Sequence, residues 1–243
     1  MRLGVVRFPG SNCDQDVVWV LETILGQDVA VLWHEAEDLN HMDAVILPGG
    51  FSYGDYLRCG AIARGSPVMK ALSDFAQRGN PLLGICNGFQ ILLEAGLLPG
   101  VLRQNACRRF LCKDVFVRVE RTDTPFTLAC REGQVLRIPI AHGEGNFLHH
   151  PSELASILKN NQVVFRYCTE DGRVVPEANP NGSLEYIAGL CNTGGNILGM
   201  MPHPERCSEA ILGGNDGLLI WRSLITWLSI QRKALSNKLE VCS

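Results

Sequence analysis

The stretch Pro81-Leu82-Leu83-Gly84-Ile85-Cys86-Asn87-Gly88-Phe89-Gln90 constrains the fold more than any other part of the chain. Its apolar start reads as a buried strand, and Phe89 to Ala95 reads as a helix. Cys86 falls in the turn between them, flanked by Gly84 and Gly88, which predicts a turn too sharp for side chains on either side. A cysteine at such a strand–helix elbow is placed for nucleophilic chemistry. The helix N-terminus favours negative charge and offers unpaired backbone N–H groups to a developing oxyanion.

The segments around the elbow predict a doubly wound α/β sheet. Residues 3–8, 28–33 and 43–47 read as strands, apolar enough for a parallel sheet covered on both faces. Helices are predicted after Ser11-Asn12, with Ser11 and Asp14 as a capping box and Gly26 as the stop, and over 66–78, with Ser66 at the N-cap and Pro67 at N1. This β-α-β-α-β-α-β alternation places ligands outside the carboxyl ends of the strands, where Gly49-Gly50 and Cys86 both fall. The glycine- and aromatic-rich run 51–64 is more than a linker, and 34–40 reads as surface loop. In the second half, 114–120, 134–140, 163–169, 184–192 and 196–201 read as strands, joined by turn clusters that suggest antiparallel additions. The helix over 216–235 carries Trp221, Leu224, Trp227 and Leu228 at helical spacing and is expected to pack on the sheet.

Bulk properties exclude several classes. A net charge of −3 gives no electrostatic case for nucleic acid or an anionic membrane. No apolar run approaches the roughly 20 residues of a spanning helix. Met1 leads straight into a strand pattern, so no signal peptide is expected, and the chain reads as cytoplasmic and as one domain over 1–243. Ten cysteines is a high count, yet no C-x-x-C occurs, so neither a disulfide framework nor a metal site is expected.

A thiol nucleophile needs a base, and the base an orienting group. Met201-Pro202-His203-Pro204-Glu205 supplies both: the prolines disfavour helix at His203, and residues two apart in an extended segment share a side. Oxyanion donors are expected at the backbone N–H of Asn87, after the nucleophile, and of Gly50, after the neighbouring strand. Gln90 shares a helix face with Cys86, and its amide can donate and accept to an amide substrate. Ile140-Ala141-His142-Gly143-Glu144-Gly145 leaves a strand with two glycines; His142 and Glu144 rival the base and orienter, but substrate positioning suits the loop better.

Gly84-Ile85-Cys86-Asn87-Gly88-Phe89-Gln90 with His203-Pro204-Glu205 resembles the class I (triad) glutamine amidotransferases. More narrowly, the 8–14, 49–58, 142–145, 179–183 and 200–206 segments resemble the glutaminase subunits of phosphoribosylformylglycinamidine synthase, an enzyme of purine biosynthesis. The resemblance implies a flavodoxin-like three-layer α/β/α fold. It implies Cys86, His203 and Glu205 as catalytic residues, Gly50 and Asn87 as oxyanion donors, and Gln90, Phe51, His142 and Gly143 as contacts to L-glutamine. It further implies ammonia delivery to a large synthetase subunit that uses ATP and magnesium, with no cofactor in this chain, and a small third subunit in the assembly. Rival readings are a cysteine peptidase or glyoxalase-type enzyme on a related fold, and a catalytically silent binding subunit. The first places a histidine directly after the cysteine, where this chain has Asn87, and leaves His203 and Glu205 unexplained; the second leaves the intact triad unexplained.

Overall fold

The computed structural model describes residues 1–241. Its frame is a nine-stranded sheet whose first five neighbours are all parallel: β2 (Asp28–Trp33), β1 (Arg2–Arg7), β3 (Ala44–Leu47), β4 (Leu82–Ile85) and β11 (Ile197–Met200). This is the 2-1-3-4-5 order of flavodoxin-like sheets, in which ligands sit at the carboxyl ends of the strands. The fifth position is filled only after an excursion of about a hundred residues. The turn clusters around 196–201 suggest an antiparallel addition there, but β11 pairs in parallel with β4, Gly199 opposite Gly84. Leu82, Leu83, Ile85, Leu198 and Met200 are fully buried, as expected of strands covered on both faces.

The excursion supplies the antiparallel half. β10 (Ile187–Cys191), β9 (Val163–Cys168), β6 (Leu111–Val119) and β7 (Val135–His142) continue the sheet from β11, each antiparallel to the last. Four reversals leave β7 running the same way as β4, so His142 and Cys86 emerge at the same end. The sheet curls until β7 returns to that crest: the His203 N–H donates to the Pro139 carbonyl at 2.8 Å. This also covers an edge strand that would otherwise offer unpaired backbone groups.

Several local expectations change. No helix separates β2 from β3; residues 34–43 cross as a loop pinned by the buried Leu39. α1 (Asp14–Trp19) begins without the Ser11 capping box. The Ser11 hydroxyl instead accepts from the Phe8 N–H, while Asp14 pairs with Arg7. The helix then widens into a π turn over Val20–Ile24 before Gly26 ends it. Ser66 precedes α2 (Pro67–Gln77), but its hydroxyl bonds Tyr53 Oη rather than capping. The strand expected over 184–192 opens as a 3-10 turn, Leu184–Tyr186. A short pair, β5 (Val101–Arg103) with β8 (Asn146–Leu148), and the helix α4 (Pro151–Lys159) gave no clear periodic signal. The last helix, α5 (Leu218–Val241), buries Trp221 and Leu224 against the core as expected. No helix among the described residues is long and apolar enough to cross a membrane.

The elbow helix α3 (Asn87–Glu94) lies directly on β3 and β4. A Cβ at Gly88 would sit 2.0 Å from the Leu47 carbonyl oxygen, and one at Gly84 2.8 Å from the Gly88 backbone. The close approach is what sets Cys86 at the crest. Gly88→Ala is therefore expected to lower stability by about 3 kcal/mol, read from the urea midpoint; a shift under one third of that would show that α3 can lift off the sheet freely.

Candidate active site

Cys86 occupies the turn between β4 and α3 with φ 49° and ψ −103°, a conformation that L residues rarely adopt. Its N–H donates to the Met200 carbonyl at 2.8 Å, so the elbow is stitched to the end of β11. The thiol is buried and turns toward the Ala141 carbonyl oxygen at 3.6 Å, in the crest of β7.

His203 and Glu205 follow β11. Their side chains meet as the sequence predicted: His203 Nδ1 lies 2.6 Å from Glu205 Oε1, both residues buried. With the carboxylate accepting from Nδ1–H, a neutral His203 presents a bare Nε2, and that nitrogen has no protein partner. Burial works against charge on the imidazole. The Glu205 carboxylate and the Cys86 sulfur outweigh it and hold the His203 pKa well above its ordinary value.

A second sulfur sits beside this pair, and sequence reasoning passed over it. Cys13 stands at the end of the turn between β1 and α1, at the same crest. Its Sγ accepts from Arg206 at 3.0 Å and packs against the His203 ring. Gly49 lies over both, and a Cβ there would come within 2.7 Å of His203 Cε1 and 3.1 Å of Cys13 Sγ. The signal available was positional: Cys13, Gly49, Cys86 and His203 each follow a parallel strand. Cys13, His203 and Glu205 offer ligand atoms all within 4.8 Å of one another, enough for a soft metal ion by distance. The Arg206 guanidinium on the sulfur opposes a cation there.

Gly50 and Asn87, the expected oxyanion donors, follow β3 and β4 at the same crest. Gly50 has φ 149°, and a Cβ would meet Asn12 N and Ser11 Cα at 2.9 Å. Hydrogen bonds from Phe51 N–H to Gly10 and from Cys13 N–H to Gly49 bracket it, leaving the Gly50 N–H outside that bridge. Asn87 opens α3, so its N–H is one of the unpaired first-turn donors. Its side chain fastens the neighbouring loop: Oδ1 accepts from Ser52 N–H at 3.1 Å, and Nδ2 donates to Gln90 Oε1 at 2.9 Å.

The substrate-side expectations divide. Phe51 and Gly143 line an open cavity of about 340 Å³ together with Asp55, Arg108, Arg109 and Glu144. Phe51 stacks on Phe110 across it at 6.5 Å, and both rings are exposed. Gln90 does not project freely over the site. It is buried, and its amide accepts from Asn87 while donating to the Glu144 carbonyl at 2.7 Å, which ties α3 to the 142–146 loop. His142 is buried beneath that loop rather than in the cavity wall. It lies apart from the His203–Glu205 pairing, and burial together with the nearby His203 lowers its pKa to about 4. Glu144 faces the cavity.

The arrangement can carry acyl transfer: a thiol at a helix N-terminus, a buried imidazole held by a carboxylate, and backbone N–H groups beside them. Residues 1–216 match the CobB/CobQ-like glutamine amidotransferase domain. The chain is 59% identical over 227 residues to the phosphoribosylformylglycinamidine synthase subunit PurQ of Moorella thermoacetica, covering 93% of this chain and 96% of that one. It is 52% identical to the PurQ subunit of Methanosarcina barkeri, covering 94% and 99%. A chain of the Thermotoga maritima PurLQS structure superposes with a TM-score of 0.83 at 44% identity, over 93% of this chain and 98% of that one. Near-complete coverage in both directions, joined to a crest that carries the elbow cysteine and the His203–Glu205 pair, leaves one assignment: the chain belongs to the glutamine amidotransferases, within the PurQ subunits of phosphoribosylformylglycinamidine synthase.

Proposed function

We propose that this chain hydrolyses glutamine to glutamate and ammonia through a thioester on Cys86, and that the ammonia serves an ATP-dependent synthetase subunit. The observation that carries this reading is the convergence of Cys86, His203 and Glu205 at one end of the sheet, with His203 Nδ1 fixed 2.6 Å from the carboxylate.

His203 Nε2 takes the Cys86 proton as sulfur attacks the side-chain carboxamide carbon of glutamine. The oxyanion forms against the N–H groups of Gly50 and Asn87. The proton held on His203 passes to the nitrogen as the C–N bond breaks, and ammonia leaves. Water, deprotonated by the same imidazole, then cleaves the γ-glutamyl thioester and restores the thiol. Glu205 holds Nδ1–H throughout, so the proton shuttle always works from Nε2. The cavity at Phe51 carries both signs of charge, Asp55 and Glu144 against Arg108 and Arg109, which suits the ammonium and carboxylate of an amino acid.

The Thermotoga maritima relative is described as part of PurLQS. By analogy, this chain docks on a large synthetase subunit, with a small third subunit in the assembly. ATP and magnesium are assigned to the synthetase, and this chain is assigned no cofactor of its own. The exposed Tyr56 and Leu57 beside the cavity suit such docking.

The deciding experiment treats the complex with a glutamine-analogue electrophile, such as a diazo-ketone, and maps the adduct by mass spectrometry. One adduct at Cys86, prevented by glutamine, is expected. Modification at another of the cysteines, or none, would overturn the reading and favour a silent binding subunit.

A further inference from the structure

Cys13 is the group beside the catalytic pair that the thioester mechanism leaves without a task. It is buried, and its sulfur is held from two sides. The Arg206 guanidinium donates to Sγ at 3.0 Å, and the thiol donates to Asn12 Oδ1 at 3.3 Å. A guanidinium only donates, so the sulfur accepts from Arg206 while its one proton is directed at Asn12. The Cys13 N–H donates to the Gly49 carbonyl at 3.2 Å, which anchors the residue on its backbone side as well. The choice made by Arg206 is unusual. Sulfur is a weak acceptor, yet Arg206 makes its close contact there and leaves two carboxylates, those of Asp16 and Glu205, each 4.0 Å away.

The placing of the sulfur against the imidazole gives that choice a purpose. A Cβ at Gly49 would lie 2.7 Å from His203 Cε1, 3.3 Å from His203 Nδ1 and 3.1 Å from Cys13 Sγ. The sulfur, a ring nitrogen of His203 and a carboxylate oxygen of Glu205 all lie within 4.8 Å of one another. Sulfur and carboxylate therefore both border the Nδ1–Cε1 edge, and Nε2 is left to the chemistry. When His203 takes the Cys86 proton, positive charge spreads over the whole ring, including that edge. A polarizable sulfur with its proton turned elsewhere is attracted to such a ring. We propose that Cys13 and Arg206 form a positioning pair for the general base: Arg206 holds the Cys13 sulfur against the Nδ1–Cε1 edge of His203, and the sulfur favours the imidazolium that forms when Cys86 gives up its proton.

This rests on the glutaminase reading and deepens it. No bond forms or breaks at Cys13. Its proton stays with Asn12 while His203 carries the other one from Cys86 to the leaving nitrogen. Glu205 sets the tautomer at Nδ1, and Cys13 adds support along the same edge without competing for that proton. The charged and titratable groups around His203 are Glu205 and Arg206 from its own turn, Cys86 from the elbow, Cys13 from the turn after β1, Asp16 from α1 and His142 from β7. The Arg206 charge by itself opposes an imidazolium, and the Glu205 and Asp16 carboxylates offset it. Contact with Cys13 acts in the same sense as Glu205 and Cys86, raising the His203 pKa.

The test has two arms. In the first, the full chain without glutamine carries ¹⁵N-labelled histidine, and the His203 ring is titrated by NMR. Cys13→Ala is expected to move that titration to lower pH, with proton affinity reduced about three- to tenfold, and Cys13→Ser to move it less. An unmoved titration in a folded Cys13→Ala variant would overturn the role, whatever the activity. In the second, glutamate production is followed in the assembled complex. Cys13→Ala is expected to lower the plateau kcat about fivefold with the KM for glutamine little changed, and Cys13→Ser to recover part of that loss. The acid limb of its rate profile moves to lower pH in step with the spectra, which a loss of packing alone would not produce. Arg206→Met, at a half-buried side chain, frees the sulfur and is expected to cost about threefold. The double variant should be no slower than the slower single variant, because both act through one sulfur. A rise in KM with kcat intact, or losses that multiply in the double variant, would sink the pair. If the wild-type complex makes no glutamate at all, the glutaminase reading falls, and the titration still decides whether the sulfur supports the imidazolium.

Discussion

Cys86→Ala is expected to remove glutamine hydrolysis, with a loss of about 10⁵-fold or more, and to leave the fold intact. The side chain is small and its sulfur donates only a long bond to Ala141, so little packing goes with it. The informative comparison is Cys86→Gly. The elbow holds an L residue at φ 49° and ψ −103°, and strain of this kind costs of order 1–3 kcal/mol. Alanine keeps that strain, whereas glycine releases it. Both variants should be inactive, yet the glycine variant should unfold at higher denaturant, by about 1 kcal/mol or more after the entropy cost of glycine is subtracted. Urea unfolding of the two proteins decides the matter. A glycine variant less stable than the alanine one would show that the elbow is relaxed, and that the reactive position costs the fold nothing.

The strain has a geometric cause. Gly84 and Gly88 let α3 approach within contact of Leu47 and β4, and only a tight reversal at position 86 can join strand and helix at that distance. Two glycines flanking a cysteine were visible in the chain as written, which is why the nucleophile and its setting could be read. The base was visible for a related reason. The prolines at 202 and 204 hold His203 and Glu205 out of a helix, so a local pattern fixed a local geometry. Both histidine and carboxylate then reach the crest because β11 lies beside β4.

What the residues alone did not disclose lay in tertiary pairing. The place of β11 is set by a strand pairing across more than a hundred residues, and strands of similar apolar content read alike whether parallel or antiparallel. Gln90 had the right spacing to overhang the thiol, but α3 is buried on both sides there and the amide is spent on Asn87 and Glu144. Cys13 stands in a turn with no pattern of its own. Its place beside His203 exists only because β1 ends beside β3. Functional meaning at such positions is carried by topology rather than by the neighbouring sequence.

Glu205→Gln tests the other half of the machinery. The two side chains have the same shape, so the buried space at position 205 is refilled. The chemistry changes in one of two ways. If the new amide turns its NH₂ toward Nδ1, His203 must carry its proton on Nε2 and cannot take one from Cys86. If it turns its oxygen, the tautomer survives but the negative charge does not. The first outcome is expected to cost about 10⁴-fold in kcat, by analogy with other triads. Both lower the His203 pKa, because the carboxylate is the leading influence that raises it against burial. The acid limb of the rate profile, where His203 becomes protonated and can no longer take the Cys86 proton, should therefore move to lower pH. Stability should report the same change. A folded pKa above the unfolded value of about 6.5 means that the wild-type pair contributes fully below that pH and loses its contribution as pH rises through the folded value. Over that window the wild type should lose stability relative to Glu205→Gln. Unfolding free energies measured from pH 6 upward provide the comparison. Parallel curves for the two proteins would mean that Glu205 orients the imidazole without holding its charge.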